Sequence, residues 1–510
     1  MTRFAFDPLF VFDLANNHQG SLDHGLRIVS AIGEVVRGEG VRAALKVQLR
    51  HLESFIHPAA RGSKENRHVE RFLSTALSGE DFGRLIAAVR TAGLIPMATP
   101  FDEKSVDSLE ELGVEVVKIG SCSATDWPLI RRVCASGRPV IASTGGMSLI
   151  DIDRLVATFT THDVEFALMH CVSIYPTPDD ALRLNQIDVL RARYPWITVG
   201  FSTHETPTNL TAVQLAYAKG ARIFERHVGL PAAGIVLNAY SSTPEQVRDW
   251  IRAHEHARAM CGGTRRAPSP LGELESLRSL MRGVFASRPI ARGQTIARDD
   301  VFFAMPLTAG QLSCSQWTEG LTADGDYEQL APLSLKLAER EKTREQLVSE
   351  ILLQVKGALS SARIAVNRDA SFEISHHYGL QRFREFGAVI VTCVNRQYCK
   401  KLLVLLPRQK HPYHMHRTKE ETFQLLAGDL ELERDGTPIT LRPGDTALVG
   451  PGVWHKFHTL GGAVIEEIST TDSPNDSVYE DWRINSLAPA ERKTSVRGIE
   501  TNLEQPELSE

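Results

Sequence analysis

Short runs of adjacent apolar residues alternate with longer stretches of helical periodicity from residue 9 to about 262. The short runs are LFVFDLA (9–15), ALKVQL (44–49), IPMATP (95–100), VVKIGS (116–121), PVIAST (139–144), FALMHCV (166–172), ITVGFS (197–202) and RIFERHV (222–228). Their apolar residues lie on both faces, as expected for parallel strands covered by helices. Amphipathic stretches follow, among them GLRIVSAIGEVVRGEG, DFGRLIAAVRTAG and PEQVRDWIRAHEHARAM, and several end at Gly, a common helix stop. Eight such units in about 250 residues predict a (β/α)₈ TIM barrel over residues 1–262. A doubly wound open sheet is the alternative, but no G-x-G-x-x-G follows the first run.

The pattern changes after the barrel. Residues 263–335 begin as short strands around a turn (RGVFASRPIARGQTIARDDVFFAMP) and continue rich in loops. Residues 336–369 carry the charged stretch LAEREKTREQLVSEILLQVKGAL, whose apolar positions are sparse. It reads as a helical spacer or interaction helix. Residues 370–485 become β-rich with Gly and Pro turns, which predicts an all-β domain. Residues 486–510 are polar and read as a disordered tail.

Composition narrows the function. With 510 residues, 42% hydrophobic and 23% charged, the chain has room for two or three globular domains. A net charge of −5 gives no broad basic surface, so neither nucleic acid nor an anionic membrane is an expected partner. The N-terminal apolar run is short, is interrupted by Asp7 and Asp13, and lacks a signal-peptide cleavage site. Seven scattered cysteines fit a reducing cytoplasm better than a disulfide framework.

Active sites of TIM barrels lie at the C-terminal strand ends. Every predicted strand offers polar residues there: Asp13 with Asn16 and Asn17, Lys46 with Gln48, Thr99, Lys118 with Ser121, Ser143, Ser173 with Tyr175, Ser202 with His204, and His227. Two lysines, several hydroxyls and loop amides suit a substrate carrying phosphate and carboxylate. His204 and His227, on neighbouring strands, suit one divalent metal with open positions. A single strand-end Ser is usually structural, and a barrel Lys is often merely paired with an Asp. The inference rests on convergence of all eight ends.

ANNHQG, LKVQ, ATPFDEKSVDSLEELG, VKIGS, IASTGGMS, MHCVSIYPTP, GFSTHE and FERHV occur in the order found in the sialic acid synthase family, and the chain resembles that family over residues 9–230. RGVFASRPIARGQTIARDDV resembles the antifreeze-like (SAF) domain that follows the barrel there and caps the partner's active site in a homodimer. The resemblance implies condensation of phosphoenolpyruvate (PEP) with a sugar aldehyde to give a 3-deoxy-2-keto sugar acid and phosphate. Lys46, Thr99, Lys118, Ser121, Ser143, Ser173 and Ser202 would surround PEP. His204 and His227 would hold Mn²⁺ or Mg²⁺, Gln48 and Tyr175 would face the sugar, and Asp13 would handle a proton or orient a water. Departures from the family concentrate on the sugar side. Asp13 replaces a Glu, Ser123 a sugar-facing Glu and Ser173 a PEP-side Asn. Asn238 lies near a missing Asp, and Met305-Pro306-Leu307-Thr308 replaces an Arg-containing loop. This pattern implies the same reaction on a different aldehyde.

HPYHMHRTKEETFQLLAG and GDTALVGPGVWHKF fit the two cupin motifs, with His414, His416, Glu421 and His455 as ligands for Zn²⁺, Mn²⁺, Fe²⁺ or Ni²⁺. Glu420 is the alternative to Glu421, and His411 and His458 read as solvated surface. The flanking segments resemble sugar-isomerase cupins of the D-lyxose isomerase type. That resemblance implies Lys419, Glu466 or Glu467 as proton carriers, although each alone reads as a surface charge. Two other readings remain: a cupin sugar isomerase with a degenerate barrel, and a sugar-binding regulatory protein.

Overall fold

The N-terminal alternation folds as a closed parallel barrel in the order β1 to β8. Its strands are β1 (Leu9–Asp13), β2 (Ala43–Leu49), β3 (Ile95–Pro100), β4 (Val116–Ile119), β5 (Val140–Ser143), β6 (Phe166–Cys171), β7 (Val199–Ser202) and β8 (Ile223–His227). The computed structural model describes residues 4–62, 66–202, 204–263, 268–334, 343–367, 370–473 and 476–496. The chain divides into two units, Met1–Ser269 and Pro270–Glu510.

Alternate residues of a strand face opposite sides, and this builds two shells. Outward residues such as Phe10, Phe12, Val47, Phe201 and Phe224 pack with helix residues Ile28, Leu85, Val89, Val247 and Trp250. Inward residues at the strand starts, including Leu9, Val11, Ala44, Met97, Val116, Ile141 and Ile223, form a separate apolar core. Two or four residues further along the same faces stand Asp13, Lys46, Thr99, Lys118, Ser143 and Glu225, all buried. The strand registers level these groups. Asp13 stands opposite Lys46 on one side and His227 on the other.

The second unit begins with helix Leu271–Leu280 and two small strand pairs, Gly283–Ala286 with Val301–Ala304 and Thr295–Ile296 with Leu321–Thr322. Val284, Ile290, Ile296, Val301 and Leu333 lie in their shared core. Beyond them stand two antiparallel sheets of seven and five strands, the all-β architecture expected of a cupin. Strands Glu421–Gly428 and Ala463–Thr470 belong to the larger sheet, and His414–His416 and His455–His458 to the smaller.

Two expectations for this unit need correction. Of the two readings of the charged stretch, spacer and interaction helix, helix Arg344–Ser361 does not fit the spacer. Its buried Ile351, Leu352, Val355 and Leu359 pack against Phe372, Ile374, Val389 and Val404 of the larger sheet. The charged residues before it diluted this stripe in the sequence, and 337–342 lie outside the described residues. The polar tail also contributes structure. Lys493–Val496 pairs antiparallel with Ser371–Ser375 and extends the sheet by an edge strand, while 497–510 lie outside the described residues.

Because Leu359 is 1% exposed, Leu359→Ala is expected to destabilise the second unit by about 2–4 kcal/mol in denaturant unfolding. A loss under about 0.5 kcal/mol, as at exposed positions, would show that the helix is a spacer after all.

Candidate functional site

Four charges of alternating sign run across the top of the barrel. The Asp13 carboxylate lies 2.9 Å from Lys46 Nζ, which donates to Glu225 Oε1 at 2.8 Å. The other oxygen of Glu225 lies 3.5 Å from Lys118 Nζ. Burial works against every one of these charges. For Asp13 it is outweighed by Lys46 and then His227, which hold the carboxyl well below the usual range. Lys46 is raised against burial by Asp13 and Glu225, so it stays an ammonium. Glu225 is held down by Lys118 and Lys46. Lys118, with only the longer contact, is pushed down by burial. Gln48 donates to Asp13 Oδ2 at 3.1 Å and orients it.

Beside Lys118 the hydroxyls form a cradle. Lys118 Nζ donates to Ser143 Oγ at 2.6 Å, and the Gly145 amide donates to Ser121 Oγ at 3.2 Å. A Cβ on Gly145 would stand 2.6 Å from Ser121 Oγ and 3.0 Å from Ser173 Oγ, so only glycine lets this backbone approach. Thr99 Oγ1 is buried without a hydrogen-bond partner, and Ser202 is buried at the end of β7. An ammonium, hydroxyls and a close backbone amide together suit an oxyanion.

The two barrel histidines lie side by side, ring centres 5.3 Å apart. His204 Nδ1 is 3.0 Å from the Val172 carbonyl, which leaves Nε2 as the ligand atom. His227 Nε2 is 3.5 Å from Asp13, and its Nδ1 is buried without a partner. Burial lowers the His227 pKa to about 4, so the ring is neutral, the form that binds metal. These donors fit a divalent cation. Tyr175 packs on His204 at 4.2 Å and marks the open side of the site.

The cupin holds a second constellation. His414, His416 and His455 are buried with ligand nitrogens within 4.8 Å of one another, the one such cluster of three or more His, Cys, Asp or Glu found among the described residues. The Nδ1 atoms of His414 and His455 face the carbonyls of Pro412 and Val453 at 3.0 and 3.1 Å. Each Nε2 is therefore the atom whose lone pair is left for a metal. Glu421 reaches His416 Nε2 at 3.2 Å and His455 Nε2 at 3.3 Å, and both Glu421 Oε2 and His455 Nε2 are buried without hydrogen bonds. Three imidazoles and a carboxylate with orphaned atoms fit a divalent metal. Of the two carboxylates weighed, Glu421 is buried and Glu420 exposed.

Several sequence expectations change here. His411 is buried rather than solvated and stacks on Phe457 at 4.7 Å, whereas His458 is half-buried and pairs with Glu431. Lys419 and Glu467 are buried, not surface charges. Lys419 Nζ lies 2.6 Å from both Glu421 and Glu467. Glu466 pairs with Lys400 at the rim. Asn238 accepts from the Tyr240 amide at 3.2 Å and shapes a loop rather than joining the strand-end groups. That loop brings Tyr240 within 5.2 Å of His227, a contact sequence reasoning missed. Glu225 was missed too, although it lies two residues before His227 on the same strand face, and that spacing was the available signal.

Residues 38–266 match the model of the NeuB family, and residues 401–468 match the cupin domain. An uncharacterized protein of Methanocaldococcus jannaschii is 30% identical over 303 residues, covering 59% of this chain and 86% of that protein. The N,N'-diacetyllegionaminic acid synthase of Legionella pneumophila is 25% identical over 57% of this chain and 83% of its own length. The crystal structure of a putative spore coat polysaccharide biosynthesis protein E from Chromobacterium violaceum is 43% identical, with a TM-score of 0.61, over 64% of this chain and 98% of that one.

Glu225→Ala leaves two buried ammoniums facing each other across an emptied space. It is expected to cost about 3–5 kcal/mol in denaturant unfolding. A loss below about 1 kcal/mol would show that water already screens the pair.

Proposed function

We propose, from the premise that this chain belongs to the NeuB family, that its barrel condenses PEP with a sugar aldehyde to give a 3-deoxy-2-keto sugar acid and phosphate. The observation that carries this reading is the cradle of Lys118, Ser121, Ser143 and Ser173 around the Gly145 backbone, set beside the His204–His227 pair. Such a cradle suits the phosphate of PEP, and Lys46 with Thr99 and Ser202 suits its carboxylate.

His204 and His227 are the residues that would hold the barrel's Mn²⁺ or Mg²⁺, which when bound supplies Lewis acidity for an aldehyde oxygen. This chain's own groups orient the rest. Gln48 and Tyr175 face the sugar. C3 of PEP forms the new C–C bond to the aldehyde carbon, and the aldehyde oxygen becomes a hydroxyl. Water adds at C2, and the bond to phosphate breaks. Lys46 and Lys118 keep PEP's two anionic groups in place while positive charge develops at C2. Asp13, held as a carboxylate by Lys46, acts by orienting a water rather than by carrying a proton.

In this reading the second unit comprises an SAF region near 263–335 that caps a partner's barrel in a homodimer, followed by the metal-binding cupin. The described cysteines are all free thiols. Among the described residues no helix is long and apolar enough to cross a membrane.

The test is release of inorganic phosphate from PEP with a panel of aldoses and Mn²⁺. Release should require an aldose and should fall about a hundredfold or more in His227→Ala. Full turnover by the metal-stripped protein in chelator would overturn the reading. N-acetylmannosamine is expected to be a poor acceptor, because Ser123, Asn238 and Met305 replace the family's sugar-reading Glu, Asp and Arg. Turnover with it equal to the best sugar tested would refute that expectation.

The two metal sites should also be separable. A His414→Ala/His416→Ala double change should lower bound metal while phosphate release stays within about twofold, because the ligands belong to a different fold from the barrel strands. Loss of phosphate release in the folded double variant would show one shared reaction path.

A further inference from the structure

Arg50 follows β2 by one residue and continues the inward series Ala44, Lys46, Gln48. It lies about 7 Å further along the chain than Gln48, toward the mouth of the barrel. Its guanidinium is clamped between the rings of Phe72 and Phe101, 3.9 and 3.7 Å from their centres, with Phe55 at 6.0 Å. One terminal nitrogen donates to Gln48 Oε1 at 2.9 Å, and Gln48 in turn donates to Asp13. The edge of the cation therefore joins the same hydrogen-bond chain as the reacting centre.

The charge of Arg50 is not matched at contact distance. Among the described residues it forms no ion pair, and its Nε is buried without an acceptor. The carboxylates acting on it are Asp13 and Asp102, and both are committed elsewhere. Asp13 binds Lys46, while Asp102 accepts from the His51 amide and the Ser105 hydroxyl at 2.8 Å each. Burial lowers the guanidinium pKa only to about 10, so it stays charged at neutral pH. Aromatic faces stabilise a cation from above and below but offer nothing to the donors at its edge. A planar cation gripped on both faces with a free in-plane donor is preorganised for a planar or tetrahedral oxyanion.

The geometry points to Arg50 as the residue that reads the acceptor, and to an acceptor aldose carrying a carboxylate or phosphate group at the end away from its aldehyde. This inference rests on the condensation reading of the barrel. PEP is not the anion concerned, because its phosphate is assigned to the cradle on β4 to β6 and its carboxylate to Lys46, Thr99 and Ser202, and Lys46 lies four residues deeper on β2 than Arg50.

The full chain with Mn²⁺ and PEP should be assayed with matched probes: mannose against mannuronate, and N-acetylmannosamine against its terminal phosphate ester. The carboxylate and phosphate arms identify which oxyanion is read. In at least one pair the anionic member should have a kcat/KM about tenfold or more above its neutral partner. Arg50→Met should raise the KM for that anionic sugar about tenfold more than the KM for its neutral partner, while leaving the KM for PEP within about twofold. Arg50→Lys, which keeps the charge in the cage without the planar fork, should fall between. Neutral sugars equal to or better than both anionic partners would overturn the inference while leaving condensation intact. So would an Arg50→Met loss that is the same for neutral and anionic sugars. If no aldose releases phosphate, the condensation reading fails, and calorimetric binding of the same pairs decides the role of Arg50 separately. Equal affinity within each pair refutes it, and tighter anionic binding that Arg50→Met abolishes supports it.

Discussion

The barrel's chemistry depends on one constraint: charges buried at the strand ends must be paired. Asp13, Lys46, Glu225 and Lys118 meet it by alternating in sign along β1, β2, β8 and β4. Each carboxylate touches a lysine and each lysine a carboxylate, so the sum is neutral although no member is exposed. The arrangement leaves an asymmetry. Lys46 has two close carboxylates, whereas Lys118 has one at a longer distance and a serine hydroxyl. The less satisfied lysine is the one beside the hydroxyl cradle, where an anion gains most by binding. A buried ion network of this kind is weak evidence for stability and better evidence for specificity of register and function.

The cupin obeys the same rule with different groups. Glu421 stands between Lys419 on one side and His416 and His455 on the other, and Lys419 is shared with Glu467. Backbone carbonyls fix the tautomers of His414 and His455, so their ligand atoms face inward before any ion arrives. The barrel uses the same device on His204 with the Val172 carbonyl. In both folds short backbone geometry around a histidine prepares its ring, and the metal-facing nitrogen needs no rearrangement.

The barrel mouth beside the histidines is more open than the Lys118 cradle, with Tyr175 half-exposed and Lys118 and Ser143 buried. Tyr175 and Tyr240 gather around the histidines, and Arg50 sits in its aromatic cage beyond Gln48. Helix Arg67–Ser74, which supplies Phe72 to that cage, is tied to the first strand's loop by the Asn16–Thr75 hydrogen bond. The aromatic cage around Arg50 and the loop after β1 are thus tied together.

The sequence by itself determined the eight strands of the barrel, the polar groups at their ends, the two barrel histidines and the clustered histidines of the cupin. Each of these is written in local periodicity or in spacing within a short motif, which a linear reading resolves. Only the tertiary structure decided which groups meet. Glu225 and Lys46 are 179 residues apart, and nothing local to either predicts the contact. The aromatic cage of Arg50 exists only once Phe72 and Phe101 close on it, and Lys419 reads as surface until Glu421 and Glu467 bury it. Helix Arg344–Ser361 looked like a spacer because its apolar stripe is short and follows a charged run, and the sheet that covers it is assembled from later sequence. Burial depends on the partners that long-range folding supplies, and a side chain's own identity does not specify them.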